Sequence, residues 1–285
     1  MTLFFTKMPQ PAPLIITNNK MKDLKKNYAR ILILLLGCAI IFTACKKHNT
    51  APQNPNPATV AKLIRFGDAI NNNQFEYNAA SNVAKITVVT DSVPTEYNIT
   101  YQNGVPSQLQ SARFLFKLIY TDGHLVRSEE YDNNTPELQS MTIFNYSANT
   151  LSEQLFYEKP VPSAGLAPQL KYKFETLPNG DISMVEIFLW DRTTGQYNFL
   201  GSDRYDYDGH PNPVYPTNDF HILYTIPATP HNVHKITSYD TSGILISVTT
   251  YDYIYNSTGY PVEAKRTNTP TGGFSSLTTL TYTYR

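Results

Sequence analysis

The side chains able to do chemistry in this chain are carboxylates, histidines and rows of tyrosine. Glu129, Glu130, Glu153, Glu158, Glu175 and Glu186 all fall in strand-like runs. Two otherwise unmarked carboxylates suffice for glycoside hydrolysis, so a glycan-active hydrolase would draw on these. On a strand face open to water the same residue only confers solubility. The chain has no Gly-x-Ser-x-Gly elbow, no His-Glu-x-x-His and no phosphate-cradling glycine loop. The reading is therefore not an enzyme. His231 and His234 lie three apart, with His210 and His221 upstream. Zinc would need a third ligand and a supporting shell. Intervening prolines and the lack of a companion carboxylate predict loop polarity, with no metal and no other cofactor. Asp203, Asp206 and Asp208 precede Gly209, yet the spacing is not that of an EF-hand and no bidentate Glu follows. Alternation with Tyr205 and Tyr207 predicts that Asp206 and Asp208 share one face of a solvated hairpin end. Tyr251, Tyr253 and Tyr255 form a row, and Trp190 is the single tryptophan. These four offer stacking contacts to a ligand such as a sugar ring; the same row also makes an ordinary packed strand face.

Cys38 and Cys45 are the only cysteines among 285 residues. Upstream, Lys22, Lys25, Lys26 and Arg30 form a charged region ahead of the apolar run Ile31 to Phe42. As a helix that run spans roughly 18 Å, short of a hydrocarbon core of about 30 Å. It reads as the core of a signal peptide. Phe42-Thr43-Ala44-Cys45 resembles the lipobox of bacterial lipoproteins, with Phe42 departing from the usual aliphatic residue. The resemblance implies cleavage before Cys45 and a diacylglyceryl group on its sulfur. Leu35-Leu36-Gly37-Cys38 is also lipobox-like, but cutting there would leave Ala39 to Phe42 as a greasy mature end. Met21 opens a well-proportioned signal and reads as the start. With Cys45 acylated, the mature body can form no disulfide and do no thiol chemistry.

The formal charge is zero, but 6 of the 23 basic residues and 1 of the 23 acidic ones precede Cys45. The remaining 17 and 22 leave a net of about −5, so a nucleic-acid partner is not expected. Three parts follow: a signal peptide at 1–44, a lipidated cysteine and Pro- and Asn-rich tether at 45–59, and one domain at 60–285. Such a tether cannot bury enough apolar area to fold.

Within the domain, an aromatic residue repeatedly ends an alternating run and a short turn follows. Tyr77, Tyr101, Tyr120, Tyr146, Phe174, Tyr207, Tyr239 and Tyr255 each precede turns rich in Asn, Asp and Gly. Those turns supply the left-handed conformations that hairpins need. The runs have period two: Lys171 and Lys173 share one face and Tyr172 and Phe174 the other, while Leu280, Tyr282 and Tyr284 oppose threonines. Val60 to Ile70 suits either a short helix or a first strand. The expected fold is all-β: after the N-terminal signal helix, a large antiparallel meander of successive hairpins, about sixteen strands, in a strongly curled or barrel-like sheet.

Units such as Arg204-Tyr205-Asp206-Tyr207-Asp208-Gly209 resemble YD or RHS-type β repeats. More closely, Tyr207-Asp208-Gly209-His210-Pro211-Asn212-Pro213, followed by Asn232-Val233-His234-Lys235-Ile236, is similar to uncharacterised bacterial lipoproteins with a porin-like domain. That resemblance implies a fold and a lipoprotein setting and brings no activity. It places the protein in the cell envelope, lipid-anchored to the outer membrane. In such lipoproteins acids after the cysteine favour surface display; here Lys46, Lys47, His48 and Asn49 follow, leaving both the periplasmic face and the cell surface open. The expected function is a binding or structural module for a glycan or an envelope protein. Its rivals are the glycan hydrolase and an outer-membrane barrel component, and charges at close spacing on the strands oppose the latter.

Overall fold

The computed structural model describes residues 62–160, 165–215, 220 and 226–285. The expected signal helix, the cleavage site, Cys45 and the tether lie outside the described residues. Among these residues the chain forms sixteen strands: β1 (Leu63–Gly67), β2 (Asn72–Tyr77), β3 (Val83–Thr90), β4 (Val93–Gln102), β5 (Val105–Gln110), β6 (Phe114–Thr121), β7 (His124–Asp132) and β8 (Leu138–Ser147), then β9 (Thr150–Glu158), β10 (Ala167–Thr176), β11 (Ile182–Asp191), β12 (Gln196–Pro211), β13 (His231–Tyr239), β14 (Leu245–Tyr255), β15 (Pro261–Pro270) and β16 (Ser276–Tyr284). Each pairs antiparallel with its sequence neighbours, and β1 pairs with β16 to close the barrel. Phe66 stands opposite Tyr282 across that seam, and Lys62 and Arg285 exchange backbone hydrogen bonds of 3.1 and 3.0 Å. Closure leaves no strand edge to protect. Val60 to Ile70 supplies a strand rather than a helix.

Turn chemistry drives the meander. At Asn103-Gly104 the φ angles are 54° and 81°, and at Asp122-Gly123 they are 51° and 81°. Both central residues are left-handed, as a two-residue turn of type I′ requires. Even-numbered strands all run toward one end of the barrel, called here the floor; odd-numbered strands run away from it toward the mouth. Six even strands carry a tyrosine near the floor whose hydroxyl donates to a carbonyl at the start of the preceding strand. Tyr77 reaches Leu63 O (2.8 Å), Tyr101 reaches Val83 O (3.0 Å) and Tyr146 reaches Leu125 O (3.0 Å). Tyr207 reaches Ile182 O (2.7 Å), Tyr253 reaches Val233 O (3.0 Å) and Tyr284 reaches Pro261 O (2.7 Å). Each ring packs on the sheet while its hydroxyl satisfies a carbonyl where the ladder gives out. Burial pushes these phenols up, Tyr77 to about 12, so they stay neutral donors.

Two of the eight expected turns fall elsewhere. After Tyr207, Asp208-Gly209 does not reverse the chain. The strand runs on to Pro211 with two register shifts, and a long connection over 212–230 follows. Tyr239 does precede a turn, but at the mouth. Asp208 does not share the solvated face of Asp206: Asp206 pairs with Lys235 at 3.0 Å, whereas Asp208 accepts the Tyr255 hydroxyl. The register shift between Asp206 and Tyr207 separates them. Removing one hydroxyl while keeping its ring isolates the contribution of a tyrosine tie. Tyr253→Phe leaves the Val233 carbonyl short of a partner, and a cost of about 1–2 kcal/mol is expected in urea unfolding.

Candidate functional site

A closed sheet has one inside, and Ile86, Leu109, Val185 and Ala264, all fully inaccessible, mark it. Cross-strand partners share a face, so the register assigns the rest. Phe66, Phe75, Phe144, Tyr172, Tyr205, Tyr251 and Tyr282 point inward near the floor and are buried. Lys85, Lys171, Lys173, Glu186, Arg204, Asp252 and Lys265 point outward. The connection over 212–230 adds Val214, Phe220, Ile226 and Ala228, all buried. It springs from the floor and is tied there by Asp181. That fully buried carboxylate accepts from Asn179 Nδ2 (2.6 Å) and from the His231 backbone (3.1 Å), and meets His231 Nδ1 at 2.7 Å.

Exposure rises along each inward row toward the mouth. Leu118 is buried while Phe116 and Phe114 are half-buried; Tyr251 is buried while Thr249 and Ser247 are half-buried. Leu280 and Thr278, and Ala264 and Arg266, behave alike. Solvent therefore enters from the mouth and stops at the floor. The barrel is a cup.

Its upper wall is polar and aromatic. Ser140 on β8 stands between Glu130 on β7 and Glu158 on β9, directly across from both. The Ser140 hydroxyl donates to Glu130 Oε2 at 2.5 Å. Burial, more than the negative charge of Glu158, holds the Glu130 carboxyl above its usual range against that hydrogen bond. Tyr97 and Phe116 lie beside it, ring centroids 6.0 Å apart, and burial raises the Tyr97 phenol. Farther round, Asp203 on β12 lies across from Ser238 on β13 and is likewise raised by burial. Arg266 on β15 donates to Thr278 Oγ1 (3.4 Å) and lies against Tyr251. Carboxyls with raised affinity for protons, hydroxyls and ring faces together suit hydrogen bonding and stacking with a polar or amphipathic ligand.

The residues singled out from sequence spread over several places. Tyr251, Tyr253 and Tyr255 do share the inward face of β14 and stack in series, with centroids 6.1 and 5.7 Å apart. Tyr251 is 4% exposed and Tyr255 stacks on His210 at 4.1 Å, so the row packs into the floor below the solvent-reached wall. Trp190 lies on the outer face, edge-to-face with Tyr197 at 4.9 Å. Cys45 and His221 lie outside the described residues. His231 is held by Asp181, and His234 Nδ1 lies 3.2 Å from Tyr251 O, so the two do not converge. Among the described residues no three His, Cys, Asp or Glu side chains are grouped as metal ligands. Of the six carboxylates, Glu130 and Glu158 face inward and the other four outward. Ser140, Asp203 and Arg266 escaped sequence reasoning; strict alternation from the nearest aromatic would have found Asp203, two residues before Tyr205.

No family model matches the chain, and no curated protein matches it. Among solved structures, a porin-like protein from Bacteroides uniformis is similar over 80% of this chain and 98% of its own, with a TM-score of 0.55 at 12% identity. A porin-like protein from Bacteroides vulgatus is similar over 79% and 99%, with a TM-score of 0.55 at 11% identity. At such identity the likeness is one of fold: an all-β antiparallel barrel of successive hairpins.

Two outcomes follow from the cup. With Cys38 and Cys45 absent, Thr249→Cys should react readily with a small maleimide in the folded protein and Ala264→Cys should not, as read by mass spectrometry. The raised Glu130 carboxyl means that the folded state binds its proton more tightly than the unfolded state does. Its contribution to stability falls as pH rises through the ordinary Glu range and up to the folded value. Glu130→Gln keeps an acceptor for Ser140, so it should raise the melting temperature at about pH 8. Near pH 4 and below, where the unfolded carboxyl is largely protonated too, the difference should vanish.

Proposed function

We propose that this is an envelope protein, lipid-anchored to the outer membrane through diacylglyceryl-Cys45, whose barrel is a binding or structural module. It acts as neither an enzyme nor a pore. The observation that carries the reading is the polarity of the wall. A transmembrane barrel turns a continuous apolar band outward and keeps its interior polar. Here the apolar set fills the floor inside, and ionised side chains stand on the outer face of most strands. The half-exposed upper wall supports binding: it offers carboxyl, hydroxyl and aromatic groups to a glycan or to a segment of an envelope protein. Excess negative charge outside the signal disfavours nucleic acid. A hydrolytic role would have to rest on Glu130 and Glu158, the inward pair.

Palmitate labelling with and without Cys45→Ala, joined to protease access on intact cells, tests the anchored placement. The wild-type chain should take up label and Cys45→Ala should lose it. Label that persists in Cys45→Ala, or no label in the wild type, would contradict the reading. Degradation on intact cells would place the barrel outside the cell, and protection would place it on the periplasmic side.

A further inference from the structure

At the mouth, large apolar side chains stand out in water. Ile70 lies on the β1–β2 connection, Val93 starts β4, Ile244 and Ile246 flank the start of β14, and Phe274 and Leu277 flank the start of β16. Each is at least half exposed, and Phe274 is 99% exposed. The four hairpins that carry them are neighbours round the closed barrel, so the side chains form an arc along half of the rim. The hairpins completing the rim carry Arg113, Asp132, Glu137, Lys159 and Arg192 instead. Scattered single hydrophobes need no explanation, whereas a run of them on adjacent tips does.

We propose that this arc is a docking surface for a lipid bilayer, with the apolar tips seated among the lipid headgroups and upper acyl chains. Three observations favour lipid. First, the tips are internally satisfied, as a low-dielectric medium demands of backbone. Asp68 Oδ1 accepts from the amides of Ile70 (2.9 Å) and Asn71 (2.6 Å), and Asp240 Oδ1 from Ser242 (2.8 Å) and Ile244 (2.9 Å). Adjacent tips are stapled: Ser92 N donates to Ile70 O (2.9 Å) and Thr271 N to Ile246 O (2.8 Å). Second, the side chains stand as separate spikes with polar turn residues between them, a shape that a deformable medium accommodates and a flat protein face does not. Third, these tips hold Asp68, Asp91 and Asp240 and no Lys or Arg. The matching surface is a neutral, zwitterionic bilayer, not an anionic one.

The chain ahead of the barrel permits this. β1 begins at the floor, so an anchor on Cys45 reaches the same bilayer only if residues 46–61 run back along the wall. Sixteen residues span at most about 55 Å, against roughly 25 Å for ten-residue strands at a barrel tilt. Docking itself does not depend on the acyl group, so it can be tested apart from the anchor.

The barrel closes between Lys62 and Arg285, so a chain starting at residue 46 holds the whole fold. That chain, unlipidated, should float with phosphatidylcholine vesicles, and raising salt to 0.5 M should not release it. The pair Phe274→Ser and Ile244→Ser should lower the bound fraction at least tenfold with an unchanged melting temperature. Ile254→Ser, at an exposed apolar residue of the floor end, should leave binding as it is. The proposal is overturned if the chain does not float, if it needs anionic lipid, or if the paired substitution leaves flotation intact. It is equally overturned if sedimentation velocity shows a dimer that the same pair dissolves while no vesicle binding occurs.

Discussion

Everything in this barrel follows from the pairing of β1 with β16. Once Phe66 is set against Tyr282, the sheet has an inside, and alternation assigns every side chain to lumen or solvent. A sixteen-strand barrel is wide, and membrane barrels of that size hold a water channel. This one resolves the width differently. At the floor, large rings such as Phe75, Phe144, Tyr172 and Tyr205 project inward, and the 212–230 connection contributes Phe220 and Val214. Toward the mouth the inward residues shrink to Ser, Thr and Asn, and water follows. Size grading along the strands thus creates both the core and the cup.

The same grading explains the tyrosines. A hairpin barrel has a ring of carbonyls near each end where the ladder stops, and at a packed end those carbonyls must be satisfied without water. Tyrosine is long enough to fill the floor and to carry a donor to its edge. At the mouth, Asp68 and Asp240 cap their own turns with carboxylates instead, and the apolar side chains they leave point outward. The two ends of one sheet therefore differ in how backbone is satisfied, and that difference is what separates a sealed end from one suited to contact.

Much of the fold was legible in the sequence. Turn chemistry located most of the hairpins, and the alternation at Lys171-Tyr172-Lys173-Phe174 sorted inner from outer positions correctly. Closure was not legible, because the pairing of Phe66 with Tyr282 leaves no local trace in either strand. Asp208-Gly209 misled because a left-handed glycine serves a bulge as well as a turn. The upper wall was hidden for a related reason. Bulges at Glu130/Tyr131, Pro168/Leu170 and Ile187/Phe188 reset the alternation, so the face of a given acid cannot be carried along a strand by counting. Glu130 and Glu129 look equivalent in sequence; only the neighbours across the ladder show which one meets the lumen.

The most direct test of the account is hydrogen exchange on the chain from residue 46 in detergent-free buffer, followed by mass spectrometry. A closed barrel with its apolar set inside should remain folded in water and protect the amides of β1 and β16 as strongly as those of β8 and β9. If β1 and β16 exchanged at the rate of turns, or if the protein held its fold only in detergent, closure or the inside-apolar wall would be wrong and the cup with it.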